Sequence, residues 1–271
     1  MKLACLYANM SMRGTDMTLF RTLPSHRCAA IAAAGLLAAA LSAPAMAIPA
    51  ALHAYDLNGS FADALGGNAI TGGGGTLGPT GYTLDASNQG PSLTGPGITD
   101  HYSIEMKFSI DSTSGFKKLI DFKNRGSDTG LYNLNSAQNF YNVATGPGGA
   151  YAAGSLAHLV VTRDGTTDLF TAFVDGVQQI SFTDSGDLAV ISSNILHFLR
   201  DDAATGGEQT TGFIDYIRIF DTVLSQPDVA DLFNGEQPDN PGDAIPEPRL
   251  VALFGLGLAG LGFVRRQRQR T

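Results

Sequence analysis

From residue 102 to residue 220, apolar and polar positions alternate with a period of two. Ile104, Met106, Phe108 and Ile110 interleave with Glu105, Lys107, Ser109 and Asp111, the pattern of a strand with one face on a core and one in water. Residues 156–163 form a second such run, closed by Asp164-Gly165. Residues 169–174 and 177–182 flank Asp175-Gly176, a strong two-residue hairpin signal. Residues 195–199 and 213–220 complete the set. One short helix follows, with Ser225 as N-cap, Pro227 in its first turn and Asp228 in capping-box position. Leu232 and Phe233 are expected inward, with Gly235 as the stop. Residues 59–97 hold 12 glycines, Gly72 to Gly75 among them, and read as loops and short strands. Short strands with glycine turns and no strand–helix–strand rhythm predict an all-β domain of two packed antiparallel sheets.

Both ends depart from this pattern. Arg21 and Arg27 precede an uncharged apolar run over residues 28–41, followed by Ser42-Ala43-Pro44-Ala45-Met46-Ala47. Basic, apolar and small-residue regions in that order predict a secretory signal peptide over residues 1–47. It would be exported by the Sec machinery and cut after Ala47, with Ala45 as the other small residue. Met10, Met12 and Met17 are alternative starts to Met1, and Met17 would leave a signal of more usual length. The only cysteines, Cys5 and Cys28, lie in this segment. A mature chain without thiols has no disulfide, zinc-thiolate site or cysteine nucleophile.

The other end reads Pro246-Glu247-Pro248, then residues 250–264 without a charge, then Arg265, Arg266, Arg268 and Arg270. A helix over 250–264 would be about 22 Å long against a hydrocarbon core of about 30 Å, with its arginines on the cytoplasmic side. Residues 245–271, after a linker at 238–244, closely resemble the PEP-CTERM sorting signal of Gram-negative bacteria. The resemblance implies that an exosortase recognises and removes the tail. It also implies an inner-membrane intermediate, then delivery to the cell surface or extracellular polysaccharide matrix. The membrane would be touched only through this helix before processing. A simple C-terminal anchor is the alternative.

Charge narrows the partners. Residues 48–243 hold 8 basic against 23 acidic residues, a net charge of about −15. Such a domain is a poor partner for nucleic acid or an anionic membrane. Its Ile, Val, Phe and Leu runs argue against disorder.

A second resemblance rests on His158-Leu-Val-Val-Thr162-Arg163-Asp164-Gly165, then Phe173-Val-Asp175-Gly176-Val177. It continues in Gly212-Phe-Ile-Asp215-Tyr-Ile-Arg218-Ile-Phe220 with Leu224-Ser225. Over roughly residues 52–234, within a domain at 48–237, the chain resembles the laminin G-like, concanavalin A-like family. That implies a two-sheet jelly-roll sandwich and, for most members, carbohydrate or protein binding, often with calcium. The chain has no Trp, and Ala157 stands where many members carry one, so sugar stacking on tryptophan is excluded.

Catalytic patterns are missing. Glucanases of this kind carry E-x-D-x-E, which is absent; Glu105 is isolated, and the other glutamates of the domain are Glu208 and Glu236. Asp201 and Asp202 are adjacent and would face opposite ways on a strand. His53, His101, His158 and His197 have no G-x-S-x-G elbow nearby, and Gly72 to Gly75 lacks the lysine of a phosphate loop. Oxygen ligands for calcium are plentiful, however. By parity with Phe213, Ile217 and Ile219, Asp215 falls on a covered face, where it needs a cation or a donor. The resemblance to glucanases implies a structural calcium at Asp215; the alternative is a hydrogen bond to a loop amide. The resemblance to laminin-type modules implies a calcium at Asp128, completed by Asp201 or Asp202; the alternative is a plain Asx-turn.

Ligand contacts are expected from Tyr132, Asn133, Asn135, Asn139, Tyr141 and Asn142, since Tyr and Asn offer flat faces and paired donors and acceptors to sugar hydroxyls. Lys117, Lys118, Lys123 and Arg125 hold half the domain's basic residues. They suit an acidic polysaccharide or a solvated sheet edge. The sequence therefore predicts an exported, non-catalytic binding module for extracellular polysaccharide or a surface glycan. A purely structural matrix protein and a divergent glycoside hydrolase are the alternatives.

Overall fold

The computed structural model describes residues 47–86 and 88–238. Ala45, the Pro246-Glu247-Pro248 motif and the apolar segment 250–264 lie outside these residues. Among the described residues no helix is long and apolar enough to cross a membrane.

Among the described residues fourteen strands and one helix follow one another. They are β1 (His53–Tyr55), β2 (Thr76–Gly78), β3 (Gly81–Leu84), β4 (Ser92–Thr94), β5 (Tyr102–Ile110), β6 (Phe116–Asp121) and β7 (Leu131–Leu134). Then come β8 (Ala137–Phe140), β9 (Ala144–Thr145), β10 (Ala157–Asp164), β11 (Leu169–Val174), β12 (Val177–Thr183), β13 (Ile195–Phe198), β14 (Gly212–Phe220) and α1 (Gln226–Phe233). One antiparallel sheet runs β12-β11-β10-β5-β14-β3-β2, with β1 also paired to β14; the second runs β4-β13-β6-β7-β8-β9. This is the two-sheet sandwich with one short helix that the alternation predicts.

The apolar half of each alternating strand fills the space between the sheets. Ile104, Met106, Phe108 and Ile110 of β5 meet Leu119, Ile120, Leu131 and Phe140 of the second sheet in one buried cluster. The expected wet face of β5 is not wet. Glu105 is fully buried, because a second apolar cluster covers the outer side of the first sheet. Val160, Phe173 and Phe220 pack there against Val229 and Leu232 of α1 and against Ile48 and Ala51. A central strand covered on both faces carries a charge inward only if that charge is paired.

Local signals are met in detail. Asp175 (φ 49) and Gly176 (φ 76) make the β11–β12 hairpin turn with both residues in the left-handed region. Ser225 and Asp228 form the reciprocal capping box of α1. Phe233, expected inward, is 46% exposed, since only Val229 and Leu232 of α1 reach the sheet.

Candidate functional site

The second sheet and the loops at one of its ends gather the acidic side chains. β6 lies between β13 and β7, so its lysines are not on a solvated edge. A bulge between Lys118 and Ile120 puts Leu119 and Ile120 both into the core and frees Lys118 to point elsewhere. Lys118, wholly buried, donates to the Tyr132 hydroxyl (2.5 Å) and to Asp202 Oδ2 (2.8 Å). The Tyr132 hydroxyl lies 3.0 Å from Asp128 Oδ1. Carboxylate oxygens of Asp128, Asp202 and Glu208 lie within 4.8 Å of one another.

The environment splits these carboxyls apart. Burial pushes Asp202 up, but the Lys118 ammonium and the amides of Thr205 and Ala204 outweigh it and hold the group below its ordinary range. Burial, reinforced by Asp128 and Asp201 and only partly opposed by the Tyr132 hydroxyl, pushes Glu208 up to about 7. Burial, then Glu208, keeps Tyr132 protonated well above a normal phenol.

A groove of about 290 Å³ opens beside this cluster, lined by Phe116, Asn139, Tyr141, Asn142 and Thr145 among others. Phe116 packs edge-on against Tyr132 (5.6 Å between ring centroids) and Tyr141 (5.7 Å). The Tyr132 ring also packs 6.0 Å from that of Tyr141, so the groove and the carboxylates share one wall.

The residues singled out from the sequence fall into three groups. Tyr141, Asn139 and Asn142 line the groove, and Asp128 and Asp202 meet in the cluster. Tyr132 and Asn133 are buried and engaged, whereas Asn135 is exposed but lies outside the groove lining. Tyr132 is fully buried within the cluster. Asn133 is tied to Thr113 O and the Ser136 amide, and Asn135 Oδ1 accepts from Gly115 N; both brace the β7–β8 turn. Asp201 and Asp215 stand outside the cluster. Asp201 Oδ2 accepts from the Glu208 amide. Asp215 sits at a bulge between Ile214 and Tyr216, which breaks the parity that put it on the covered face and leaves it half-buried.

Glu208 was missed, although it is one of few glutamates and returns six residues after Asp202 in a glycine-containing loop. Also missed was a polar cluster behind the first sheet. Glu105 Oε1 accepts from His158 Nε2 (2.8 Å) and Tyr216 (2.9 Å), and Oε2 meets Arg218 (3.2 Å). Burial pushes Glu105 up, yet these partners hold it below its ordinary range. It is a satisfied interior carboxylate.

The residues present fit a hard divalent cation. All donors are oxygens, the Asp128 carbonyl faces the same Tyr132 hydroxyl (2.9 Å), and Glu208 Oε2 is buried without a partner among the described residues. With all three carboxylates ionised against the single Lys118 ammonium, the cluster carries two surplus negative charges, which a dication neutralises.

Comparison with known proteins agrees with this architecture. No curated protein sequence is similar to the chain. Domain 4 of AbnA, an extracellular arabinanase from Geobacillus stearothermophilus, solved with arabinotriose, shares 18% identity and a TM-score of 0.50. The match covers 68% of this chain and 98% of that one. Trypanosoma rangeli sialidase with 2,3-difluorosialic acid matches with 14% identity and a TM-score of 0.53, over 69% of this chain but 33% of its own. The binding domain of botulinum neurotoxin serotype D matches with 15% identity and a TM-score of 0.50, over 70% of this chain and 53% of its own. At these identities the likeness is one of fold. A sequence model of the concanavalin A-like lectin/glucanases superfamily matches residues 85–230, and it is to this superfamily that the chain belongs.

Proposed function

We propose that the domain is a non-catalytic glycan-binding module whose ligand lies in the groove at Phe116, Tyr141, Asn142 and Thr145. A calcium ion at Asp128, Asp202 and Glu208 would brace it. The observation that carries this reading is the shared wall: Tyr132, whose hydroxyl lies 3.0 Å from Asp128 Oδ1, packs its ring 6.0 Å from that of Tyr141, which lines the groove. A cation held in the carboxylate cluster fixes Asp128 and, through Tyr132, the rings of Tyr141 and Phe116 packed on it. Tyr and Asn at the rim supply a flat face and paired hydrogen-bonding groups, the recurrent equipment of a sugar site. The arabinotriose bound to domain 4 of AbnA supports a glycan as ligand. Export through the Sec machinery and sorting by an exosortase complete the reading, on the sequence of the two ends.

A glycosidase is the second reading, favoured by two carboxyls within 4.8 Å with opposed shifts, Glu208 up and Asp202 down. That is the spacing and polarity of a retaining pair. Against it, the Ala204 and Thr205 amides and the Lys118 ammonium all donate to Asp202, which lowers the nucleophilicity that attack on an anomeric carbon needs.

The test is a glycan array on the full-length chain with calcium and with chelator, repeated on Tyr141→Ala. Binding that weakens at least tenfold in the variant and in chelator is expected. Retained binding by Tyr141→Ala would place the site elsewhere. Reducing-sugar release from a polysaccharide panel, lost on Glu208→Gln, would replace binding by hydrolysis. Intact mass of protein from the native host should lack residues 250–264; full-length chain in a washed inner membrane would leave a simple anchor.

A further inference from the structure

A cationic spot lies in this strongly acidic domain, between the β6–β7 loop and the end of β13. Arg125 is fixed by its backbone and its side chain together. Its amide donates to Asp121 Oδ1 (2.7 Å), its carbonyl accepts from the Ala203 amide (2.9 Å), and its Nε donates to Asp201 O (2.7 Å). Asp201 follows Arg200 directly, so the Arg125 side chain is anchored on the backbone next to Arg200. Asn124, beside Arg125, hydrogen-bonds His197 Nε2 (3.1 Å) through Oδ1, which draws β13 into the same corner.

What is missing from this corner is negative charge. Among the described residues neither arginine makes an ion pair. Arg200 Nε is buried with no hydrogen-bond partner among the described residues. The neighbouring acids are turned away. Asp121 gives Oδ1 to the Lys123 and Arg125 amides and directs Oδ2 toward Lys118 at 3.6 Å, and Asp201 Oδ2 serves Glu208 N. Burial, followed by the charges of Arg200 and Arg125, pushes His197 down to about 4, as an unneutralised positive field requires. Two arginines on adjoining loops, neither with a counter-charge among the described residues and one with a buried unmet donor, have the chemistry an oxyanion calls for.

We propose that Arg125 and Arg200 bind the acidic group of an acidic saccharide, a carboxylate or a sulfate. This rests on the glycan-binding reading and deepens it, because Arg125 and Asp128 share the β6–β7 loop. A uronate or sulfated unit seated on the arginines then runs past the carboxylate cluster.

The test compares an oligogalacturonate with its fully methyl-esterified form by calorimetry on the full-length chain. The two share one sugar backbone and differ in whether the acid group is a free carboxylate or a neutral methyl ester. The acid should bind at least tenfold tighter, and Arg200→Gln and Arg125→Gln should each remove that ratio. Arg200→Lys, which keeps the charge but not the fork, should retain a small part of it. Lys107→Gln, on the other sheet, should leave it whole. Equal binding of acid and ester, or a ratio that survives both glutamine variants, overturns the proposal and leaves glycan binding standing. If neither form binds, the glycan reading fails, and sodium sulfate against sodium chloride at matched ionic strength decides the receptor alone. A melting temperature raised by sulfate in the parent but not in Arg200→Gln or Arg200→Lys supports a receptor for free oxyanion. No difference between the salts overturns that as well.

Discussion

Arg163 Nε donates to Asp184 Oδ2 at 2.9 Å, and both side chains are buried. The pair closes one end of the sandwich. Asp184 also accepts from the Leu188 and Ala189 amides, while Arg163 reaches Asp100 O at 2.8 Å and Asp168 and Asp187 at 3.2 Å. The loop after β12 is thereby docked onto β10. Removing one partner of a buried pair strands the other charge, so Arg163→Met should cost about 3–5 kcal/mol in urea unfolding. The double variant with Asp184→Asn should recover part of that loss, because no naked carboxylate is left behind. Equal loss in single and double variants would mean that packing, not charge, is what Arg163 supplies.

The β11–β12 turn makes a smaller and cleaner prediction. Gly176 has φ +76, and a Cβ there would meet Phe233 Cδ1 at 3.2 Å. Phe233 is 46% exposed and can move aside, so the contact matters little and the backbone conformation decides. Gly176→Ala should cost about 1–2 kcal/mol. Asp175→Asn should stay within about 0.5 kcal/mol, because asparagine tolerates the same φ and its side-chain oxygen can still accept the His158 amide that Asp175 holds at 2.9 Å.

These two cases show what the sequence makes legible. The hairpin and capping box are written in adjacent residues, and the period-two alternation reveals the sandwich because each strand answers to its own core face. Glu105 and Lys118 are misread because alternation says which residues face away from the core, not what covers them there. α1 and the N-terminal segment cover Glu105, and Tyr132 with Asp202 covers Lys118. The parity argument for Asp215 fails through one extra residue at a bulge, which no local pattern announces. Bringing Glu208 beside Asp128 depends on where a loop of β13–β14 returns, a long-range fact.

Calcium should stabilise the domain through Asp128, Asp202 and Glu208. A ligand bound only by the folded state adds about 2.7 kcal/mol at a hundredfold excess over Kd. Melts in millimolar calcium and in chelator should therefore part by several degrees. Asp128→Asn, Asp202→Asn and Glu208→Gln should each close the gap, whereas Asp215→Asn should leave it open. A gap that closes only on Asp215→Asn would move the ion to β14. Coincident parent curves after thorough chelation would mean that Lys118 alone balances the cluster.

His197 and Glu208 predict a pH profile in which two linkages oppose one another. His197 is pushed down to about 4 from an ordinary 6.5. As pH falls through 6.5 the unfolded chain takes up a proton that the folded chain refuses until about 4. The unfolded state thus binds more protons in this window, and stability is lost as pH falls through it. Glu208, raised to about 7 from 4.5, runs the other way, because the folded chain keeps a proton that the unfolded chain has released. Its contribution therefore falls as pH rises from 4.5 to 7. Asp121 and Asp201, also raised by burial, add to the falling side at lower pH. The parent should consequently be nearly flat between pH 4.5 and 6.5 in chelator. His197→Gln, stripped of the rising limb, should lose stability steadily toward pH 7. Glu208→Gln should gain it toward pH 6.5. Each slope should not exceed about 1 kcal/mol per pH unit once solvent screening is allowed for. Urea midpoints at four pH values for the three proteins read this directly, and parallel profiles would show that neither group is linked to folding.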